Sequence, residues 1–122
     1  MKILVIDDDS LMRRTLARIL RADGHDVVTA ADGERGMALF RQEKPEIVIT
    51  DIVMPGQEGL ETIITLRRDD TPVKIVAISG SDGELLDIAR LIGADAVIGK
   101  PFREQELLSH IRALGGMKSP AR

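Results

Sequence analysis

Short apolar and β-branched runs alternate along the chain with segments in which apolar residues return every three or four positions, and the alternation repeats five times. Runs this short read as strands buried on both faces, and interleaved helical periods predict a parallel sheet wrapped by helices. The predicted strands span 3–6, 27–30, 47–50, 74–78 and 96–98. Between them, Met12, Leu16, Ile19 and Leu20 form one helical stripe, Leu60, Ile63 and Ile64 begin another, and Leu107, Leu108, Ile111 and Leu114 mark the last helix. Ser10 and Asp32 are the expected N-caps, Ser81 and Glu84 have capping-box spacing, and Gly24 and Gly93 punctuate helix ends. The fourth helix has more apolar positions than one stripe needs. Leu85, Ile88, Ala89 and Ile92 are expected in the core, with Leu86 and Leu91 flanking them either as a wide buried face or as a partner-binding surface.

Right-handed crossovers with helices on both faces leave few arrangements for five parallel strands. The expected fold is α/β and flavodoxin-like, with a five-stranded parallel sheet in the order 2-1-3-4-5. In such sheets ligands bind beyond the carboxyl ends of the strands, where strands 1 and 3 lie side by side.

With 122 residues the chain builds one domain, expected over residues 1–114, with 115–122 as a flexible tail or the start of a linker. A net charge of −3 gives no bulk attraction to nucleic acid or anionic lipid. Tryptophan and tyrosine are absent, so Phe40 and Phe102 cannot build a base-stacking platform. No apolar run reaches the roughly 18 residues of a membrane span and no signal peptide is evident, so a cytoplasmic location is expected. Absent cysteine excludes disulfides and thiol catalysis.

Polar residues follow the strands at one edge. Asp7, Asp8 and Asp9 follow the first strand, Asp51 the third, Ser79 the fourth, and Lys100 and Pro101 the fifth. Carboxylates gathered this closely either hold protons or share a cation, and an all-oxygen donor set suits a hard ion, Mg²⁺ above all. Lys100 and Ser79 would complete a receptor for a tetrahedral dianion such as a phosphoryl group. Each residue alone has an ordinary reading, as a turn-former or a solvated lysine; the joint placement on four strand ends carries the functional one. Asp9 stays balanced between helix-start acid and functional group. His25 and His110, Arg13 and Arg14, and Arg67 and Arg68 are expected on solvated surfaces.

The segments "ILVIDDDSLMRR", "IVITDIVMPGQEGLE", "IVAISGS" and "GADAVIGKPF" resemble, in this order, the motifs of the response-regulator receiver domain of two-component signalling, over about residues 2–114. The resemblance implies that Asp51 accepts phosphate, that Asp8 and Asp51 bind Mg²⁺ (or Mn²⁺) directly, that Asp7 does so mostly through water, and that the Val53 carbonyl is a further ligand. It implies that Ser79 and Lys100 contact the phosphoryl group, that Gly80 leaves room beside it, and that Lys100–Pro101 is a cis peptide. Pro55 and Gly59 match the loop after the acceptor. The implied partner is a sensor histidine kinase or histidine phosphotransferase, without direct contact to nucleic acid or membrane. The implied role is a signalling switch of the surface formed by the fourth and fifth strands and helices.

The chain departs from the family at Val97, where relatives carry an aromatic that swings inward. Either the fourth helix and its loop move as a unit, which the glycines of "GSDG" favour, or Val97 is simply core. Apolar Val53 cannot orient an attacking water, so slow self-dephosphorylation is expected. A rival reading takes "DDDSL" as a haloacid-dehalogenase-like phosphatase motif, with Asp7 as nucleophile and Asp9 as acid/base, but it leaves Asp51 unexplained and lacks an acidic pair after Lys100. A flavin module lacks the aromatics to stack the ring.

Overall fold

A computed structural model describes residues 1–54, 58–69, 71–80 and 83–116. Five strands, β1 (Lys2–Ile6), β2 (Asp26–Ala30), β3 (Ile47–Asp51), β4 (Lys74–Ser79) and β5 (Ala96–Gly99), alternate with five helices. These are α1 (Ser10–Ala22), α2 (Gly33–Glu43), α3 (Glu58–Arg68), α4 (Gly83–Leu91) and α5 (Glu104–Gly116). All strand pairs are parallel in the order β2-β1-β3-β4-β5, the flavodoxin-like arrangement expected from the hydrophobic pattern.

Strand side chains alternate between faces, and that divides the core into two layers. Ile3, Val5, Ile47, Ile49, Val76, Ile78 and Ile98 meet α1 and α5 through Leu16, Leu20, Leu107 and Ile111. Leu4, Ile6, Val48, Ile75 and Ala77 meet the other three helices through Phe40, Ile63, Leu66 and Ala89. Burying each large aliphatic contributes about 1.5–3 kcal/mol, which anchors the strands whose ends carry the polar groups.

Helix ends are fixed by local chemistry. Asp32 caps α2 as expected, accepting from the Arg35 N–H at 2.8 Å. The cap of α1 is Asp9, not Ser10: Asp9 has extended backbone and its carboxylate accepts from the Leu11 N–H at 2.9 Å, while Ser10 is already helical. Gly24 and Gly93 both take positive φ after helices, where a side chain would be strained. Lys44 does the same at the end of α2 without being glycine. At the other end of that helix, a methyl on Gly36 would collide with Ile6, so glycine lets α2 lie close on β1. Ser81, of the expected capping box, lies outside the described residues, as do Asp82 and Pro55.

Several surface expectations need correction. On α4 the inward face is formed by Leu85, Leu86, Ala89 and Ile92, whereas Ile88 is exposed and Leu91 is 85% exposed. A short helix lying against β5 turns one stripe inward, and Ile88 falls outside it. Arg67 is not a solvated arginine. Its guanidinium donates to the carbonyls of Gly93, Thr71 and Val73 at 2.9, 3.2 and 2.8 Å and to Asp95 at 2.6 Å, clamping the end of α3 to the approaches of β4 and β5. Arg68 is exposed as expected. His25 is covered, its side chain only 11% exposed, because the backbone bond from Asp26 N–H to the Met1 carbonyl draws the start of β2 against β1. Arg13 is partly buried and donates to the Asp7 carbonyl at 2.7 Å.

Candidate functional site

The carboxyl ends of β1, β3, β4 and β5 meet at one edge of the sheet. Asp7 leaves β1 with its N–H bonded to the Ala30 carbonyl, which holds it beside the strand end. Asp51 is the last residue of β3 and pairs in register with Ile78. The run of four apolar or β-branched residues before it therefore stops at the point where the strand leaves the core. Gly59, near the start of α3, packs on the backbone of Asp51 and Ile52 so closely that any side chain would collide with it. The start of α3 is thereby held close against the end of β3.

Asp7 and Asp51 are almost fully buried, and Asp8 is exposed. Carboxylate oxygens of the three lie within 4.8 Å of one another. Each buried acid has defined donors. Asp51 Oδ1 accepts from the Val53 N–H at 3.0 Å, and Oδ2 accepts from Lys100 Nζ at 3.1 Å. Asp7 Oδ1 accepts from the Asp9 N–H at 2.9 Å, and its Oδ2 stands 3.4 Å from Lys100 Nζ. One ammonium therefore bridges the two buried carboxylates.

The electrostatics follow from that geometry. Burial pushes the Asp7 carboxyl above its usual range, with the Asp51 charge adding to the effect and the Asp9 N–H and Lys100 opposing it. Burial alone would lower the Lys100 ammonium, but the carboxylates of Asp7 and Asp51 outweigh it and the net direction is up. Two acids share one cation, and the cluster retains an excess of negative charge.

Ser79 ends β4, fully buried, and its carbonyl accepts from the Lys100 N–H at 2.8 Å. The structure thus brings together Asp7, Asp8, Asp51, Ser79 and Lys100 on adjoining strand ends. The Lys100–Pro101 peptide is cis. A methyl on Gly80 would meet only ordinary contacts with Lys100, so sterics here do not demand glycine. Val53 is about half exposed at the mouth of the site. Val97 is partly buried and packs into the same layer as Leu85 and Leu86. Asp9 is exposed and caps α1 with its carboxylate, which matches the helix-start reading of this acid. Sequence reasoning missed the backbone donors of Asp9 and Val53, because main-chain N–H groups carry no residue signature.

The family model for the response regulator receiver domain matches residues 3–112. The chain is 38% identical over 115 residues to a probable transcriptional regulator ycf27 from Porphyridium aerugineum, covering 93% of this chain and 47% of that protein. It is 38% identical over 119 residues to protein PilG from Pseudomonas aeruginosa, covering 93% and 86%. The chain thus spans about half the length of the ycf27 relative and most of PilG. Among solved structures it resembles response regulator protein TrrA from Thermotoga maritima in complex with Mg²⁺–BeF, with TM-score 0.84, 31% identity and coverage of 93% and 97%. No helix among the described residues is long and apolar enough to cross a membrane. The parallel sheet, the acids and lysine at its switch point, and a family match over nearly the whole chain agree: this chain belongs to the response-regulator receiver domains, the signalling switches of two-component systems.

Proposed function

We propose that Asp51 accepts a phosphoryl group from the phosphohistidine of a sensor histidine kinase or histidine phosphotransferase, in a reaction that depends on Mg²⁺. The observation that carries this reading is the buried Asp51 carboxylate, oriented by the Val53 N–H and by Lys100 beside two further acids. The donor set fits a hard cation. It consists of three carboxylates without nitrogen or sulfur ligands, and a cation would offset the burial that raises the Asp7 carboxyl and the smaller push from the Asp51 charge. Asp7, Asp8, Asp51 and the Val53 carbonyl would hold it, with Mn²⁺ as a substitute. When bound, the ion would supply charge neutralisation on the oxygens of the transferring group.

The chain's own residues account for the rest. A carboxylate oxygen of Asp51 attacks phosphorus, the O–P bond forms as the P–N bond breaks, and the imidazole leaves with the electron pair. The Val53 N–H fixes the attacking carboxylate, and Lys100 offsets negative charge on the product, a role its contact with the Asp51 carboxylate supports. The Ser79 hydroxyl answers the new dianion, a role supported by its burial and by its position one residue past the strand partner of Asp51. With valine at position 97, no ring can rotate, so α4 shifts as a unit and carries Ile88 and Leu91 with it. This repacks the β4/α4/β5/α5 surface for partner binding or phosphorelay. The receiver unit runs through α5, two residues past the expected boundary at 114, with the cytoplasm as the setting such a donor requires.

Incubation with a small acyl phosphate is expected to add the mass of one phosphoryl group only when Mg²⁺ is present, and not in Asp51→Asn. Equal uptake by wild type and Asp51→Asn would contradict the proposal.

A further inference from the structure

Helix α1 carries Arg13, Arg14, Arg18 and Arg21 and no acid, in a chain whose net charge is −3. Arg13 and Arg14 stand in the second turn, where the helix macrodipole gives a cation no help. The four guanidiniums are not scattered. With Ser10 and Thr29 the four arginines line one groove of about 780 Å³ between α1 and the edge strand β2; no acidic residue lines it, and Arg18 also borders the neighbouring cavity that holds Glu104.

Two of the arginines are held in place. Arg13 donates one N–H to the Asp7 carbonyl at 2.7 Å, and Arg21 donates one to the Val27 carbonyl at 2.9 Å. A guanidinium has five N–H donors, so anchoring through one leaves the others for a ligand. Among the described residues, Arg18 has one acidic neighbour, Glu104 at 3.8 Å, on a side chain 69% exposed, and Arg13, Arg14 and Arg21 have no ion pair. Concentrated positive charge with a single exposed counter-ion, partly pre-positioned and concave, is a receptor for an anion.

We propose that this groove binds a small ligand carrying a chain of two or three phosphates, either inorganic or as a nucleotide. Arginine forks match phosphate oxygens two at a time, and the hydroxyls of Ser10 and Thr29 add donors. The volume falls within the roughly 300–1,000 Å³ of small-molecule sites. Neither Phe40 nor Phe102 lines the groove, so no ring is available to stack a base and the phosphates carry the recognition. The same lack of aromatics, with the net negative charge, argues against a nucleic-acid strand as occupant. The site is separate from Asp51 and stands whether or not Asp51 accepts phosphate.

The test is calorimetric titration of the whole chain with tripolyphosphate in EDTA at low salt. Saturable one-to-one binding is expected. The exposed pair Arg14→Ala/Arg18→Ala should weaken it at least tenfold, while Lys44→Ala/Lys74→Ala, the same charge loss beside a different cavity, should change it less than twofold. Absence of saturable binding, or equal weakening by both pairs, would overturn the proposal, since the second result means diffuse attraction. ATP distinguishes the sources. Binding at least tenfold tighter than tripolyphosphate points to a nucleotide, and equal or weaker binding at the same arginines points to phosphates alone.

Discussion

Lys100→Met isolates the role of the lysine that bridges the two buried carboxylates. Its ammonium lies 3.1 Å from Asp51 and 3.4 Å from Asp7. At an effective permittivity of about 20, each contact corresponds to about 5 kcal/mol of attraction. Desolvation offsets much of that, and breaking a fully buried pair typically costs about 3–5 kcal/mol. The Lys100 side chain is 20% exposed and exposed Asp8 borders the cluster, so solvent screening lowers the expected cost to about 2 kcal/mol at pH 7. The sign is fixed by linkage. A lysine whose pKa is raised in the fold contributes fully below its ordinary pKa and loses that contribution as pH rises through the folded value, so the neutral range shows the whole effect. With neither tryptophan nor tyrosine in the chain, the assay is urea unfolding followed by far-ultraviolet circular dichroism. In EDTA the midpoint should fall by about 1–2 M. In saturating Mg²⁺ the bound cation replaces the lost charge, and the difference should shrink by at least half. An equal cost with and without Mg²⁺, or none in EDTA, would refute the electrostatic account of the site.

Gly59→Ala forces a methyl into the backbone of Asp51 and Ile52, so α3 must retreat; a loss of about 1–3 kcal/mol in thermal or urea unfolding and impaired phosphate uptake are expected, and wild-type values for both would show that the contact is not needed. Val53→Asn gives an attacking water a hydrogen-bonding side chain and should speed loss of phosphate by about 2–10-fold, the value of one neutral hydrogen bond, as followed by intact mass over time. Asp7 has a raised folded pKa, so the metal-free protein should lose stability as pH rises through the range just above the ordinary carboxylate pKa. Asp7→Asn should abolish that slope and gain about 1 kcal/mol at neutral pH, and urea midpoints in EDTA from pH 4 to pH 8 decide it.

The strands were legible because a short, continuous apolar run bounded by turn residues is what burial on both faces requires, and each observed strand begins or ends within one residue of its predicted span. The position of Asp51 at the end of a buried run was legible for the same reason, and its convergence with Asp7, Asp8 and Lys100 was legible only from reading the strand ends together. The helices were legible as stripes but not in phase: Ile88 and Leu86 both suit a helix interior, and only the packing of α4 on its layer decides between them. Asp9 and Ser10 are both good caps, and the choice depends on where β1 releases the chain. His25 and Arg67 were misplaced because what covers them is distant in sequence, the edge of β1 in one case and Gly93 with Asp95 in the other. Arg13 and Arg14 read as a solvated face; Arg14 is exposed as expected, and Arg13 is partly covered because it reaches the Asp7 carbonyl at the end of β1.

The most direct measurement of the central claim is the position of the phosphoryl group. The chain is phosphorylated with a small acyl phosphate and Mg²⁺, reduced with borohydride and mapped by peptide mass. Modification at Asp51 alone, dependent on Mg²⁺, is the predicted result. Modification at Asp7 would instead mean a phosphatase-like nucleophile, and the assignment of Asp51 as acceptor would be wrong.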